Sequence, residues 1–521
     1  MTAILVPGLT CATLHDDGHA GVLVDGRDFY KQLFEACCAA ERSIFMLGWQ
    51  FDSKVALLRG DDAKDCEHPT ELVEFLRDLC EQKPNLEIYM LAWDASAVFA
   101  FEREPLQKLR FRARGHKRLK YRMDNAHPPG ASHHQKLIVV DRSVAFLGGM
   151  DVCNSRWDDR DHAATAPDRC SGHRSYAPYH DVQAYVTGDA VDVLREWFCT
   201  RWLLATEQDI CIEDAPRRDL PITPSIDVDA PVVALARTLP RMEEPVSPPV
   251  SELYDLHARA IMEAERVIYV ENQYFSCDEI ADWFVRRMER GGPPLDIVVV
   301  LPEKSAGFKE RISIGVYQQR ILEKLGRVAA RTGHRFGVYY TAARGPDGDV
   351  PVFIHAKVLC VDDRFLLVSS ANLSNRSMGF DSELGLAWET IEPTASIASA
   401  RIDLLAEHCG LDGDEARPLL ADSHGLVDRL DTLARAKTHR LRLHRRNVDE
   451  KAGWLLSKIL PRDTPLDPDN PRVIEEILPE PGAWLDRIFR DPFVFADRAV
   501  RRPLRSARRR LGRRTQRSLP R

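Results

Sequence analysis

Apolar side chains recur along this chain with two alternating spacings, one helical and one extended. In the first part of the chain, the helical spacing predicts helices over 28–40 and 71–82, and apolar runs predict strands over 43–51 and 86–92. Helices that alternate with strands are typical of an α/β layered structure, in which the helices cover a sheet. An apolar content of 44% is ample for such a core.

The second part of the chain repeats this rhythm. The predicted elements are helices over 252–264, 279–290 and 398–407 and strands over 267–271 and 295–301. The residues 40–45, Ala-Glu-Arg-Ser-Ile-Phe, are also echoed by 264–269, Ala-Glu-Arg-Val-Ile-Tyr. The chain is therefore predicted to contain two similar halves.

Each half carries one copy of a short motif, a His, a Lys two residues later and an Asp five residues after the Lys. The members are His134, Lys136 and Asp141 in the first copy and His355, Lys357 and Asp362 in the second. An apolar run comes after each Lys and is typical of a buried strand. Because strand side chains alternate, the His and the Lys share one face, whereas the Asp has the other parity and lies at the strand end.

The correspondence between the two copies continues beyond the motif in one register. Adding 221 to a first-half number carries Gly148-Gly149 onto Ser369-Ser370 and Asp151 onto Asn372. Two copies in one register indicate a duplicated active site rather than a chance match.

The residue types of the motif suit chemistry at phosphorus. A neutral His is a nucleophile, a protonated His is a general acid, and Lys side chains stabilise the charge on non-bridging oxygens. No cluster of acidic metal ligands accompanies the motifs. We therefore predict a mechanism with no metal and no cofactor.

At this point the motifs resemble those of a known family. Two copies of His-x-Lys-x(4)-Asp are the signature of the phospholipase D superfamily, and the resemblance covers roughly residues 20–410. Further motifs resemble those of the eukaryotic-type phospholipases: Gly148-Gly149-Met150-Asp151, Arg156-Trp157-Asp158, Tyr179-His180-Asp181-Val182, Glu271-Asn272-Gln273-Tyr274-Phe275, Ser370-Ala371-Asn372-Leu373 and Arg376-Ser377.

The resemblance implies a fold and a division of roles. The fold is a bilobal, duplicated α/β/α sandwich with pseudo-twofold symmetry, and a C-terminal appendage is added to it. In similar enzymes the first-half His attacks the phosphodiester, so His134 is the expected nucleophile. His355 is then expected to protonate the leaving alcohol and later to activate water, while Lys136 and Lys357 bind the phosphate oxygens.

The resemblance also implies supporting residues. Asp181 and Glu383 look like the acids that orient a catalytic imidazole in this family. Asn372 is expected to add a neutral donor, which is missing on the other side because its counterpart is Asp151.

Four other polar residues near the motifs have structural interpretations. The parity of Asp141 and Asp362 favours a role in fixing the strand ends through backbone hydrogen bonds or salt bridges. His133 points to the opposite strand face and is predicted to be a satisfied polar neighbour. For His180 we slightly prefer a buried backbone partner over a contact with the headgroup.

Four functions compete. The first is a phospholipase D that hydrolyses the distal phosphodiester of glycerophospholipids to phosphatidate and a free headgroup alcohol through a phosphohistidine, with transphosphatidylation as an open second outcome. The alternatives are a phosphatidyltransferase similar to cardiolipin synthase, a nuclease of the same superfamily and a catalytically dead membrane-binding module. The two intact His/Lys pairs argue against the last.

Net charge bears on the partners. The net charge is −7, and the eleven Arg of residues 498–521 leave −18 on the rest of the chain. A nuclease is expected to carry a basic groove, so nucleic acid is disfavoured as a partner. The expected partner is a phospholipid at a membrane surface, and the tail is a candidate for contact with anionic headgroups. The duplication supplies both motifs in one chain, so catalysis requires no oligomer.

The chain is predicted to divide into five parts. These are a first catalytic half (1–212), a Pro-rich connector (213–250), a second catalytic half (251–410), a C-terminal appendage (411–497) and an Arg-rich tail (498–521). No conventional signal peptide or apolar stretch of membrane-spanning length is recognised. We expect a cytoplasmic or peripheral membrane location, with export by another route left open.

Overall fold

The computed structural model describes residues 2–94, 107–128, 130–213, 215–243, 245–304 and 308–444. All of them lie in one compact unit, Met1–Asp469. Residues 445–497 of the predicted appendage (411–497) and the whole predicted tail (498–521) lie outside the described residues.

The first part of the described chain contains these elements in order: β1 (Thr13–His15), β2 (Ala20–Val24), α1 (Asp25–Ala39), β3 (Ser43–Gly48), a 3-10 turn (Gly60–Ala63), α2 (Leu72–Gln82), β4 (Glu87–Trp93), α3 (Gln107–Arg114), β5 (Leu119–Asp124), β6 (Leu137–Val140), β7 (Val144–Gly148), β8 (Cys170–Ser171), β9 (Arg174–Ser175), β10 (Tyr179–His180), β11 (Val182–Val186) and α4 (Asp189–Thr206).

The second part continues with β12 (Ile226–Asp227), β13 (Val232–Leu239), β14 (Met242–Glu243), β15 (Val246–Ser247), β16 (Val250–Ser251), α5 (Glu252–Glu263), β17 (Val267–Glu271), α6 (Asp278–Glu289), β18 (Asp296–Val300), α7 (Phe308–Thr332), β19 (Arg335–Gly345), β20 (Gly348–Pro351), β21 (Phe353–Ile354), β22 (Val358–Val361), β23 (Phe365–Ser369), α8 (Asn375–Gly379), β24 (Glu383–Glu389), α9 (Ala395–Cys409), α10 (Gly413–Leu420), α11 (Leu426–Ala436) and β25 (Leu441–Leu443).

Two large sheets repeat one topology. The first has the order β12-β2-β11-β7-β6-β3-β4-β5, and the second has the order β1-β13-β24-β23-β22-β17-β18-β19-β20, with β16 on β13 and β25 on β19. In each sheet three neighbouring strands run parallel, β3-β4-β5 and β17-β18-β19, and the motif strand, β6 or β22, pairs antiparallel with the first of them. The predicted duplicated α/β fold with pseudo-twofold symmetry is confirmed.

Both motif strands are buried on both faces. In β6, Leu137 and Val139 belong to a central cluster between the sheets, whereas Ile138 and Val140 belong to an outer cluster beneath α1 and α2. In β22 the same alternation sends Val358 and Cys360 to the central cluster and Leu359 and Val361 to an outer cluster beneath α5, α6 and α7. A strand covered on both faces needs a continuous apolar run, and each motif Lys is succeeded by such a run.

The predicted helices and strands are all present, and their ends differ by up to three residues. The largest shortening is at β3, which was expected to reach residue 51 and ends at Gly48. The chain turns there because the backbone N–H groups of Trp49 and Gln50 both donate to Oδ1 of Asp151, at 2.8 Å and 3.3 Å. A long-range side-chain contact of this kind leaves no trace in the local pattern.

The sheets are not built from separate stretches of sequence. Strand β1, within the predicted first half, pairs with β13 of the second sheet, and β13 lies within the predicted connector 213–250. From the predicted appendage, β25 pairs with β19, and Leu430 of α11 joins the central cluster. Among the helices described, none is long and apolar enough to cross a membrane.

Candidate functional site

The two motifs meet at the junction of the halves, and each is held there by the other half. The backbone N–H of His134, just before β6, donates to the carbonyl of Ser382 at 2.9 Å. The backbone N–H of His355, just before β22, donates to the carbonyl of His180 at 2.8 Å. The duplicated motifs therefore contribute to one composite site.

Each imidazole is also oriented by a carboxylate from the opposite half. Nδ1 of His134 lies 3.0 Å and 3.1 Å from the two carboxylate oxygens of Glu383. Nδ1 of His355 lies 2.7 Å from Oδ2 of Asp181. A carboxylate that accepts from Nδ1–H leaves Nε2 unprotonated, which is the tautomer that a nucleophile or general base requires. Ser370 completes the first pair, because its hydroxyl donates to Oε2 of Glu383 at 2.5 Å.

The two motif lysines have different surroundings. Nζ of Lys136 forms an ion pair with Oδ2 of Asp151 at 3.2 Å. Nζ of Lys357 donates instead to the neutral Oε1 of Gln273 at 3.4 Å and lies 3.2 Å from Nδ1 of His355. Burial lowers the pKa of Lys357 to about 7, Asp181 opposes this effect and Lys136 adds to it.

The electrostatic environment of His355 is cationic. Burial lowers the pKa of its imidazole well below the ordinary value, and the charges of Lys357, Arg156 and Lys136 lower it further. Burial also raises the pKa of Asp181, against the effect of Lys357. Without substrate, His355 is therefore a neutral imidazole.

Asp151 and Asn372 occupy corresponding positions with different charge. Lys136 and His134 hold the pKa of Asp151 below its ordinary value, although burial alone would raise it. Asn372 is also buried, and within the described structure its Oδ1 has no hydrogen-bond partner. The first half thus places an anion where the second half places a neutral amide.

The motif aspartates lie at the far ends of the motif strands. The carboxylate of Asp141 accepts the backbone N–H groups of Glu41, Arg42 and Ser43 at 2.8 Å to 2.9 Å. Asp362 accepts those of residues 265, 266 and 267 at 2.7 Å to 2.9 Å. Each of them clamps the start of the neighbouring strand, β3 or β17.

His133 and His180, which lie outside the His/Lys pairs, differ in their side-chain partners. Nδ1 of His133 lies 3.1 Å from the hydroxyl of Ser382, and Nε2 lies 3.2 Å from Oδ1 of Asp124. The expectation of a buried backbone partner for the His180 side chain is wrong. Its imidazole contacts carboxylates, with Nε2 at 2.8 Å from Glu271, because residues distant in sequence converge on it.

Arg156 lies in one of the family-like motifs, but the sequence alone indicates no role for it. Its side chain is half-buried, and the guanidinium lies over the ring of Tyr179 at 4.9 Å from the ring centre. Arg156 is one of the three cations that keep His355 neutral. Its match to Ser377 in the register of the halves was the available signal that the two halves differ here.

Two groups of His and acidic side chains could hold a metal ion. One contains Asp25, His162, His180 and Glu407, and the other contains His180, Glu271 and His408. Neither group contains a residue of the two His/Lys pairs, and both contain His180, which directly precedes Asp181.

Comparisons with known proteins find relatives of this chain. A family model described as "Cardiolipin synthase, PLD-like domain" matches residues 258–400. Among curated proteins, phospholipase D alpha 4 of Arabidopsis thaliana is 23% identical and phospholipase D A of Dictyostelium discoideum is 23% identical, each over 74% of this chain. The chain belongs to the phospholipase D superfamily.

A solved structure also shares the fold of this chain. Phosphatidylserine synthase of Haemophilus influenzae aligns with a TM-score of 0.50 at 13% identity and covers 85% of this chain and 92% of its own. The match spans 64% of the length of the Arabidopsis relative and 35% of the Dictyostelium relative.

Proposed function

We propose that the protein is a phospholipase D that hydrolyses the distal phosphodiester of glycerophospholipids to phosphatidate and a free headgroup alcohol. The observation that carries the proposal is the crossed arrangement of two imidazoles, each held at Nδ1 by a carboxylate of the other half. The named phospholipase D relatives support the lipid substrate.

In the first step, Nε2 of His134 attacks the phosphorus atom. The new P–N bond forms as the bond between phosphorus and the headgroup oxygen breaks, and protonated His355 gives its proton to that oxygen. The products are a phosphatidyl group on His134 and a free alcohol. Glu383 stabilises the positive charge that develops on His134.

His355 must be protonated in this step, and substrate binding favours its protonated form. The resting imidazole is neutral because burial and three cations disfavour its charged form. The phosphodiester brings a negative charge among those cations, and this charge raises the proton affinity of His355. In the empty site, Lys136 and Lys357 lower the proton affinity of His355. When substrate binds, the same lysines hold the phosphodiester, and its negative charge restores the proton on His355.

In the second step, His355 is neutral again and takes a proton from water. The water oxygen bonds to phosphorus, the P–N bond breaks and phosphatidate leaves. An alcohol in place of water gives a transphosphatidylated lipid by the same route. Lys136 and Lys357 stabilise the phosphate oxygens in both steps, and the buried Asn372 supplies a neutral amide beside them.

Trapping of the intermediate tests the roles. A His355→Asn variant is given phosphatidyl-p-nitrophenol, whose leaving group departs with little need for an acid, and we expect a phosphatidyl adduct on His134 by peptide mass analysis. The matched His134→Asn variant is expected to form no adduct. A phosphatidyl group found on His355 of the latter variant overturns the assignment of the nucleophile.

The runner-up is a phosphatidyltransferase similar to cardiolipin synthase. It is favoured by the family model that matches residues 258–400 and by the likeness to a phosphatidylserine synthase fold. The two functions share the phosphohistidine and differ in the acceptor. Phosphatidylcholine or phosphatidylethanolamine vesicles are incubated with glycerol or phosphatidylglycerol at a range of concentrations. Transfer that exceeds hydrolysis at millimolar acceptor supports the runner-up, and phosphatidate as the main product supports the phospholipase.

A further inference from the structure

A second polar centre lies behind the catalytic pair of Asp181 and His355. It consists of Asp25 at the start of α1, His162 in the loop before β8, His180 in β10 and Glu407 in α9, and we call these four residues the inner cluster. Their exposed fractions are 1%, 0%, 0% and 6%. The mechanism proposed above uses none of them.

The inner cluster converges on one point. Nε2 of His162 lies 3.3 Å from Oδ2 of Asp25 and 3.1 Å from Oε1 of Glu407. Nδ1 of His180 lies 3.0 Å from Oδ1 of Asp25 and 2.7 Å from Oε1 of Glu407. The ligand atoms all lie within 4.8 Å of one another, close enough for one ion to contact all of them.

Three outer partners hold these side chains from behind. Nδ1 of His162 faces Asp158 at 3.0 Å, and Nε2 of His180 faces Glu271 at 2.8 Å. Oε2 of Glu407 accepts from Arg160 at 2.5 Å. A carboxylate on the far nitrogen of an imidazole is the usual support of a metal-bound His, because it fixes the tautomer and the ring orientation.

Two atoms that face the common point lack a hydrogen bond. Among the residues described, Nδ1 of His180 and Oδ2 of Asp25 are both buried and both without a hydrogen-bond partner. Their neighbours lie at ion-pair distance but not in hydrogen-bond geometry. A buried polar atom without a partner is costly, and a bound cation would satisfy both atoms at once.

Formal charge also favours a cation. The carboxylates of the inner cluster and its outer partners belong to Asp25, Asp158, Glu271 and Glu407, and the guanidinium groups paired with them belong to Arg160 and Arg169. Arg160 is shared with Asp403, so negative charge remains, and a divalent cation would offset it. Buried charges are stable when they are paired or coordinate a metal.

We propose that the inner cluster is a closed, four-ligand zinc site that joins the two halves behind Asp181. Two nitrogen and two carboxylate oxygen ligands suit tetrahedral Zn²⁺ at about 2.0–2.2 Å, whereas Ca²⁺ and Mg²⁺ prefer oxygen alone. A tetrahedron of that size sets the ligand atoms roughly 3.4 Å apart, so the distance of 2.7 Å between His180 and Glu407 must lengthen by about 0.7 Å when the ion binds. The site is structural, since all four positions are filled by protein.

The site stabilises the segment that carries the orienting acid. His180 directly precedes Asp181 in the chain, and the backbone N–H of Asp25 donates to the carbonyl of Asp181 at 2.8 Å. In return, Oδ1 of Asp25 accepts the N–H of Asp181 at 3.2 Å. Because Glu407 comes from the second half, a bound ion ties α9 to the strand that presents Asp181 to His355.

Metal content is the direct test, and it does not depend on the phospholipase activity. The full chain, with any affinity tag removed, is dialysed against Zn²⁺, passed through a desalting column and measured by inductively coupled plasma mass spectrometry. We expect about one zinc per chain and a lower unfolding temperature after treatment with a strong chelator. A metal-free protein with the same unfolding temperature in Zn²⁺ and in chelator overturns the proposal.

Variants test the location of the ion. His162→Gln is expected to abolish retention of the metal, and His257→Gln, which alters a buried His of α5 outside the cluster, is expected to retain it. If His162→Gln does not fold, Asp158→Asn keeps the size of a side chain that also accepts from Arg169 and Tyr179 and removes the charge of the outer partner. It is expected to weaken zinc affinity by about 10–100-fold. Unchanged affinity in both variants overturns the location. A Co²⁺ form with a thiolate charge-transfer band also overturns it, because the ligands proposed here include no Cys.

Discussion

The two halves share a scaffold and differ in charge around their lysines. In the first half Lys136 is paired with Asp151, while in the second half Lys357 meets the neutral Gln273 and the corresponding position is Asn372. The strand order, the motif strands and the clamping aspartates are the same in both. Duplication therefore preserved the parts that build the sheet, and the surroundings of the phosphate-binding cations diverged.

Substitution of the two imidazoles should cause the largest losses of activity and the largest difference between the halves. We expect His134→Asn to remove nearly all activity, by about 10⁶-fold, because it deletes the nucleophile. His355→Asn should slow formation of the His134 adduct by about 10²–10⁴-fold with an ordinary headgroup, and much less with p-nitrophenol as leaving group, because only the acid acts in that step. Single-turnover rates of headgroup release with both substrates measure the split. Equal losses in this step with the two leaving groups would contradict the division of roles.

The orienting acids offer a second comparison between the halves. Asp181→Asn and Glu383→Gln should each lower kcat by about 10²–10⁴-fold, since each leaves one imidazole without its carboxylate. Glu383→Gln should slow formation of the His134 adduct in single-turnover experiments. Asp181→Asn should slow both the formation and the hydrolysis of the His134 adduct. Identical kinetic defects in the two variants would argue against unequal roles for the imidazoles.

The lysines should differ in their response to pH. Burial lowers the pKa of Lys357 to about 7, so its charge is present below that pH and is lost as pH rises through it. Competitive inhibition by sulfate, which remains a dianion, should weaken above pH 7 by at most about tenfold per pH unit.

The same Lys→Arg substitution in each half shows which lysine causes the pH dependence of sulfate inhibition. Lys357→Arg should flatten the decline, because a guanidinium stays charged. Lys136→Arg is the same change in the first half and should leave the decline in place. A flat profile in the unmodified protein would contradict the effect of burial on Lys357.

The clamping aspartates should reveal a smaller difference. Each accepts three backbone N–H groups, so Asp141→Asn and Asp362→Asn should each lower the free energy of unfolding by about 1–3 kcal/mol. Asp141 also forms an ion pair with the half-exposed Arg218 at 3.2 Å, which should add at most about 1 kcal/mol to its loss. Urea denaturation of both variants measures the comparison. A larger loss for Asp362→Asn would contradict it.

The Arg-rich tail should affect catalysis least. Deletion of residues 498–521 should weaken binding to anionic vesicles, since basic residues near such a surface contribute about 1 kcal/mol each. Hydrolysis of a soluble short-chain phospholipid should stay unchanged. Sedimentation with phosphatidylserine vesicles checks the first expectation, and unchanged binding removes the tail as a membrane contact.

Much of the fold was accessible from the sequence because it rests on local pattern. The helices and motif strands are predicted by spacing, and the duplication is indicated by one constant register. The pairing of β1 with the second sheet was not accessible, because a three-residue strand carries no signal of its partner. The His180 contacts were missed for the same reason, since Glu271 and Glu407 come from different elements of the other half.

The place of β1 has a consequence for the order in which the molecule is made. Thr13 pairs with Leu235, so β1 has no partner until the chain has been synthesised as far as β13. After β13 has been synthesised, its unpaired edge stays exposed to other chains until β1 pairs with it. Pairing across so long a stretch of chain is slow. We therefore expect the second sheet to be the kinetic bottleneck of folding.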